Sequence, residues 1–187
     1  MIRNIVFFCL LLCFYNCKNN LSEIRELGNS DSPITSAKNL KSVYTDSGLV
    51  SSKLQSSKML NFSNLDFPYF EFPESVKITF FDKNKNYNTI TADYLISYNN
   101  TDLVDMRNNV VIITSSNDTL FTDQLYYNKS QQWLFTNFPF RYKSFDKDIS
   151  GVGFDSNIDF TQINFLDVNG YVSVSYTHLT LPTNREV

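Results

Sequence analysis

Beyond residue 17 the chain has no cysteine: Cys9, Cys13 and Cys17 account for all three in 187 residues. A domain built from the remainder can form no disulfide, so its core alone must hold it together. Histidine is scarcer still, with His178 the single one, and no G-x-S-x-G, H-E-x-x-H or phosphate-loop pattern occurs. Hydrolytic and nucleotide chemistry therefore lack a residue set to work with, and neither enzyme activity nor a cofactor is expected. Glycine and proline number only 5 each. The net charge is -3 with no basic patch, so the footprint of a nucleic-acid binder is absent and that partner is excluded.

What is abundant is apolar and aromatic: 42% hydrophobic residues, 16% aromatic, 17 Phe and 11 Tyr. That supports one globular domain, and the enrichment in Phe, Tyr, Ile, Val and Thr favours strands. The N-terminal run Ile5 to Tyr15 is apolar and uncharged for 11 residues, too short for the roughly 20 that cross a bilayer. Arg3 before it and the Asn/Lys/Ser-rich chain behind it make a secretory signal. The run ends on Cys17 in "LLLCFYNCKNN", which resembles the lipobox of bacterial lipoproteins. Phe14 suits its first position, while Tyr15 and Asn16 stand where small residues are usual. Cys17 is the expected lipidation site, with Cys13 the alternative acceptor and an uncleaved signal anchor the alternative outcome. The expected organisation is a signal peptide over 1–16, a flexible tether over 17–42, a β domain over 43–173 and a tail over 174–187. The tail, "VSYTHLTLPTNREV", resembles translated sequencing-adapter read-through and is expected to be non-native.

Within the domain "SVKITFF" alternates Val76, Ile78 and Phe80 against Lys77 and Thr79, the period of a half-buried strand, and "DKNKN" breaks it as a hairpin turn. Further strands are expected over Thr89–Tyr98, Leu103–Arg107, Val110–Thr114, Thr119–Tyr127, Gln132–Thr136, Phe138–Lys143 and Gln162–Asn169. No window reads as an amphipathic helix, so beyond the signal helix the fold is expected to be all-β and antiparallel. A weak repeat places Asp93, Asp123 and Asp155 about 30 residues apart, as stacked hairpin units would. "DKNKNYNTITAD" matches a calcium loop at several oxygen positions, but Tyr87 occupies the glycine position and Asp93 replaces the bidentate Glu. A plain hairpin, and no metal, is the reading.

Five ordered motifs carry a family resemblance: N-V-x-I from Asn109, T-x-x-L-Y-Y-N from Thr122, T-x-x-P-x-R from Thr136, G-x-G-F-x-S from Gly151 and V-x-G-Y-V from Val168. Over about Ser51 to Val172 the chain resembles the LptC family of lipopolysaccharide-export proteins, in a lipid-anchored form. The resemblance implies a twisted β-jelly roll whose facing sheets make an open lipid-holding groove. It implies a periplasmic location on a membrane, the inner one in preference. It also implies lipopolysaccharide as cargo, the LptB/LptF/LptG transporter as donor and an LptA-like bridge protein as acceptor. Strand parity offers Ile78, Phe80, Ile90, Val104, Met106, Phe135, Phe138 and Phe140 as groove candidates, with an ordinary core as the competing reading. Gly151 and Gly153 are candidates for the edge where a neighbouring jelly roll docks, or else mark a bend. A β-sandwich lipoprotein that binds glycan or protein is the alternative function.

Overall fold

The computed structural model describes residues 32–172. The signal segment with Cys13 and Cys17, and the tail from residue 174, lie outside them.

The described chain is ten strands: β1 (Thr35–Asp46), β2 (Leu49–Phe62), β3 (Tyr69–Phe81), β4 (Tyr87–Ala92), β5 (Tyr94–Tyr98), β6 (Leu103–Ile113), β7 (Thr119–Asn128), β8 (Trp133–Lys143), β9 (Lys147–Asn157) and β10 (Ile163–Val172). They form one antiparallel sheet in the order β1-β2-β3-β4-β6-β7-β8-β9-β10, with β5 pairing β3 and β6. Since β4 and β5 both lie between β3 and β6 and are separated only by Asp93, they are two halves of one bent strand. The all-β antiparallel expectation holds, and the arrangement is that of a β-jelly roll.

The sheet folds over itself along a line of irregularities. β3 inserts an extra residue near Pro73, opposite the Lys58–Leu60 step of β2. β6 inserts one at Asn108 and Asn109, both with positive φ (62° and 50°), and β8 inserts one between Thr136 and Pro139, opposite Gly153. Each insertion frees backbone groups, and buried hydroxyls and amides take them up. Ser56 Oγ donates to the carbonyls of Lys58 and Glu74, Thr122 Oγ1 to that of Pro139, and Thr136 Oγ1 accepts the Phe138 N–H. The Asp93 N–H bonds the Asn108 carbonyl, and Asn109 Nδ2 donates to Asp93 Oδ2. Asp93 and Asp123 both flank the Asn108–Asn109 corner. Asp155 lies past the corner, paired with Phe135 and Asn164.

Three expectations are corrected here. Residues 35–42, read as the end of the tether, are strand, because Leu40 packs on the core and β1 pairs β2 along its length. The breaks expected at 108–109 and 137 are bulges inside continuous strands. Gly151 and Gly153 are not at an outer edge, since β9 pairs β8 on one side and β10 on the other. Gly151 permits close packing instead: a Cβ there would stand 2.0 Å from the Asp167 carbonyl oxygen and 2.9 Å from the Phe140 ring.

The interior is one cluster running from Phe72, Val76, Ile78 and Ile90 through Leu95, Met106, Ile112 and Leu125 to Leu134, Phe140, Phe154 and Ile158. A cross-layer contact ties the halves where the Phe80 ring meets Tyr127 edge-on at 5.2 Å. Buried Asn88 adds a second tie, donating to the Ile158 carbonyl and accepting the Ser115 N–H.

Candidate functional site

The interior was expected to hold a lipid, and the eight groove candidates separate into three groups. Ile78, Ile90, Val104, Met106 and Phe140 are all buried in the core cluster. Phe80 is half-buried against that cluster. The remaining two do not share the face: Phe135 stacks on Tyr126 at 5.3 Å, on the outward side of strands whose inward side carries Leu125 and Leu134. Phe138 sits in the β8 bulge, 41% exposed. Phe135 has the opposite parity to buried Leu134, Thr136 and Phe140, and Phe138 shares their parity but falls inside the insertion, where the alternation is interrupted.

At the β10 side the interior is closed by rings. Phe165 stacks on Phe140 at 5.2 Å with planes 14° apart, lies 5.2 Å from Tyr142 and 6.0 Å from Phe154, and Phe160 stacks on Phe154. The β1–β2 side differs. No residue of β1 is buried, and β2 buries only Ser56 and Phe62. Leu40, Leu54, Met59, Phe70 and Phe80 pack on the core but are only partly buried. The register sets Leu40 opposite Ser56 and Ser42 opposite Leu54, and Leu54 then faces Ile78. The result is a mouth whose floor is the core and whose lip mixes aliphatic side chains with serine hydroxyls.

Sequence reasoning missed Leu40, Leu54, Met59 and Phe70. The signal existed as the Ser52-Leu54-Ser56 alternation, but interleaved serine and lysine diluted it. The opposite face of these strands is polar: Lys41, Gln55 and Lys77 lie across β1, β2 and β3 in register and help line a surface cavity of about 380 Å³.

Ionisable groups are used structurally. Arg141 pairs with Asp148 across β8 and β9, holding that carboxyl below its usual range, by hydrogen bonding first. On the outward face of β5 to β7, Asp105 is nearly inaccessible and accepts from Arg107 and Gln124. Burial pushes the Tyr127 hydroxyl up to about 12. Burial and a hydrogen bond to Asp118 likewise raise Tyr142. Asp82 caps its own turn, accepting from the Asn84 and Asn86 backbones and the Asn86 side chain, so the calcium-like stretch is a hairpin. Among the described residues no group of three metal-ligating side chains occurs, and no helix is long and apolar enough to cross a membrane.

A bent antiparallel sheet with an apolar interior, sealed by rings at one side and lipped by half-exposed aliphatics at the other, is a β-jelly roll. The chain belongs to the LptC-related lipopolysaccharide-assembly family, whose model matches residues 4–173. Membership carries a role in lipopolysaccharide transport, binding of lipopolysaccharide and of Lpt transporter components in general, and a periplasm-facing place in the cell envelope. The family is one of lipopolysaccharide transport and binding. Comparison with curated proteins gives no match.

Proposed function

We propose that this chain is the periplasmic lipid-transfer subunit of lipopolysaccharide export. It takes lipopolysaccharide from the inner-membrane LptB/LptF/LptG transporter and passes it to an LptA-like bridge protein, held at the membrane by a lipid on Cys17. The observation that carries the reading is the mouth formed by Leu40, Leu54, Met59, Phe70 and Phe80, apolar surface that the chain's own fold leaves half-covered. Acyl chains there lie on the floor made by Val76, Ile78 and Ile90. Each methylene removed from water contributes about 0.8 kcal/mol, so one long chain contributes near 10 kcal/mol gross, reduced by ordering and desolvation costs. Incomplete cover suits a conveyor, because release must remain fast. Directionality then comes from ATP hydrolysis in the transporter, and hand-over from pairing of a sheet edge with the next jelly roll.

Three experiments test this. Depletion of the protein should make lipopolysaccharide accumulate at the inner membrane. A photo-crosslinking residue at Phe80 should capture lipopolysaccharide, whereas one at Lys77 or Arg141, on the outward parity of their strands, should not. Equal capture at both parities would remove the interior site and favour the glycan- or protein-binding alternative. Loss of acyl labelling in Cys17→Ala tests the anchor; its persistence, with loss in Cys13→Ala, would move the lipid to Cys13.

A further inference from the structure

Large exposed apolar residues collect at one end of the sheet. The β1–β2 hairpin turns tightly at Ser47 and Gly48, both with positive φ, and projects beyond β3, whose pairing with β2 begins only at Ser52. On this tip Val43, Tyr44, Leu49 and Val50 are 57%, 56%, 63% and 40% exposed. Strand alternation puts Tyr44 and Leu49 on one face of the ribbon and Val43 and Val50 on the other. The neighbouring β3–β4 turn adds Tyr87, 57% exposed, and the β8–β9 turn at the same end adds a fully exposed Phe145.

Charge surrounds these tips. Lys53 follows Leu49 by four residues, roughly 13 Å along the strand, and Lys83 and Lys85 occupy the adjacent turn. The ammonium groups of Lys83 and Lys85 make no ion pair or hydrogen bond among the described residues; of the acids at this end, Asp148 is paired with Arg141, whereas Asp46, Asp82 and Asp146 accept only from neutral hydroxyl or amide groups.

We propose that this end of the domain docks on an anionic lipid surface, with the β1–β2 tip as a wedge in the headgroup layer. A protein partner would cover one face of the ribbon and leave the other apolar face wet; only a medium that surrounds the tip satisfies both. Insertion of 5–10 Å is usual for interfacial apolar segments and leaves Lys53, Lys83 and Lys85 at headgroup level. The geometry is compatible with an N-terminal anchor. Thr35 enters the sheet at the opposite end, about 40 Å from the tip, and the residues between Cys17 and Thr35 can extend to roughly 56 Å. This contact is separate from the lipid-carrying mouth and does not depend on it.

The test uses the full chain bound to vesicles, with an environment-sensitive residue at position 44, 49 or 67. Phe67 is the control, an exposed ring (50%) in the β2–β3 turn at the other end. In vesicles containing anionic phosphatidylglycerol and acyl-brominated lipid, positions 44 and 49 should be quenched at least about twofold more than 67. Replacing Lys53, Lys83 or Lys85 by Gln should weaken tip insertion about fivefold each, without changing the thermal midpoint. Quenching no greater at 44 and 49 than at 67, or equal quenching in purely zwitterionic vesicles, would overturn the proposal. So would shielding of position 49 alone on adding the transporter, which would assign the tip to a protein.

Discussion

The β8–β10 side and the β1–β2 side of this sheet share backbone geometry and differ in what their inward positions carry. Phe140, Tyr142, Phe154 and Phe165 interlock on the first, and Phe154 is wholly buried. On the second, Leu40, Ser42, Ser52 and Leu54 alternate aliphatic and hydroxyl, and nothing on β1 is buried. An inward row is thus closed by ring area and left open by small polar side chains, without any change in strand pairing. One side closes the core with rings and the other leaves apolar surface half-covered.

The largest break in that contrast should come from Phe154→Ala. Removing a fully buried ring costs about 3–5 kcal/mol, whereas Leu40→Ala, at a position already half-wet, should cost under about 1 kcal/mol. Urea unfolding of both variants checks this; similar losses would mean that the two sides are equally load-sharing. Next comes Gly151→Ala. Its Cβ would overlap the Asp167 carbonyl, so β10 must move off β9 at a cost of about 1–3 kcal/mol. Hydrogen exchange should quicken in β10 and remain unchanged in β1 and β2.

How far the sequence foretold the two sides follows from the same chemistry. Val76, Ile78 and Phe80 alternate with polar residues and are followed by "DKNKN", so the β3–β4 hairpin was legible where it stands. β1 and β2 were not, because an edge ribbon with one inward leucine on each strand and many serines has no apolar period. The bulges hid in a different way. Asn108–Asn109 and Asn137 read as strand ends, although buried hydroxyls and an Asp–Asn bond keep the chain paired through them. Five of the eight groove candidates lie in the core because parity is sound within an unbroken strand. Phe135 has the outward parity of its strand, opposite to Leu134 and Thr136, and only Phe138 falls inside the β8 insertion.

Smaller effects sharpen the picture at the fold line and at the sheet centre. Thr122→Val keeps the shape but removes the hydroxyl that bonds the Pro139 carbonyl at 2.9 Å, and should cost about 1–2 kcal/mol. Thermal unfolding reads this, and an unchanged midpoint would deny the hydroxyl its role in the bulge. The last effect is confined to alkaline pH. Burial raises Tyr127 from 10.0 to about 12, so the folded state favours its neutral form. Its contribution is therefore complete below pH 10 and disappears as pH rises from 10 to about 12. Tyr127→Phe should remove that part of the alkaline loss, as seen in midpoints measured across this window.

The central claim, that cargo lies at the β1–β2 side and not at the ring-sealed side, is tested most directly by photo-crosslinking with the transporter active. Identical crosslinking residues would be placed at Leu54 and at Phe165, both inward and both half-buried against the same core. The account predicts ATP-dependent capture of lipopolysaccharide at Leu54 and little at Phe165. Capture at Phe165 equal to or above that at Leu54 would contradict it.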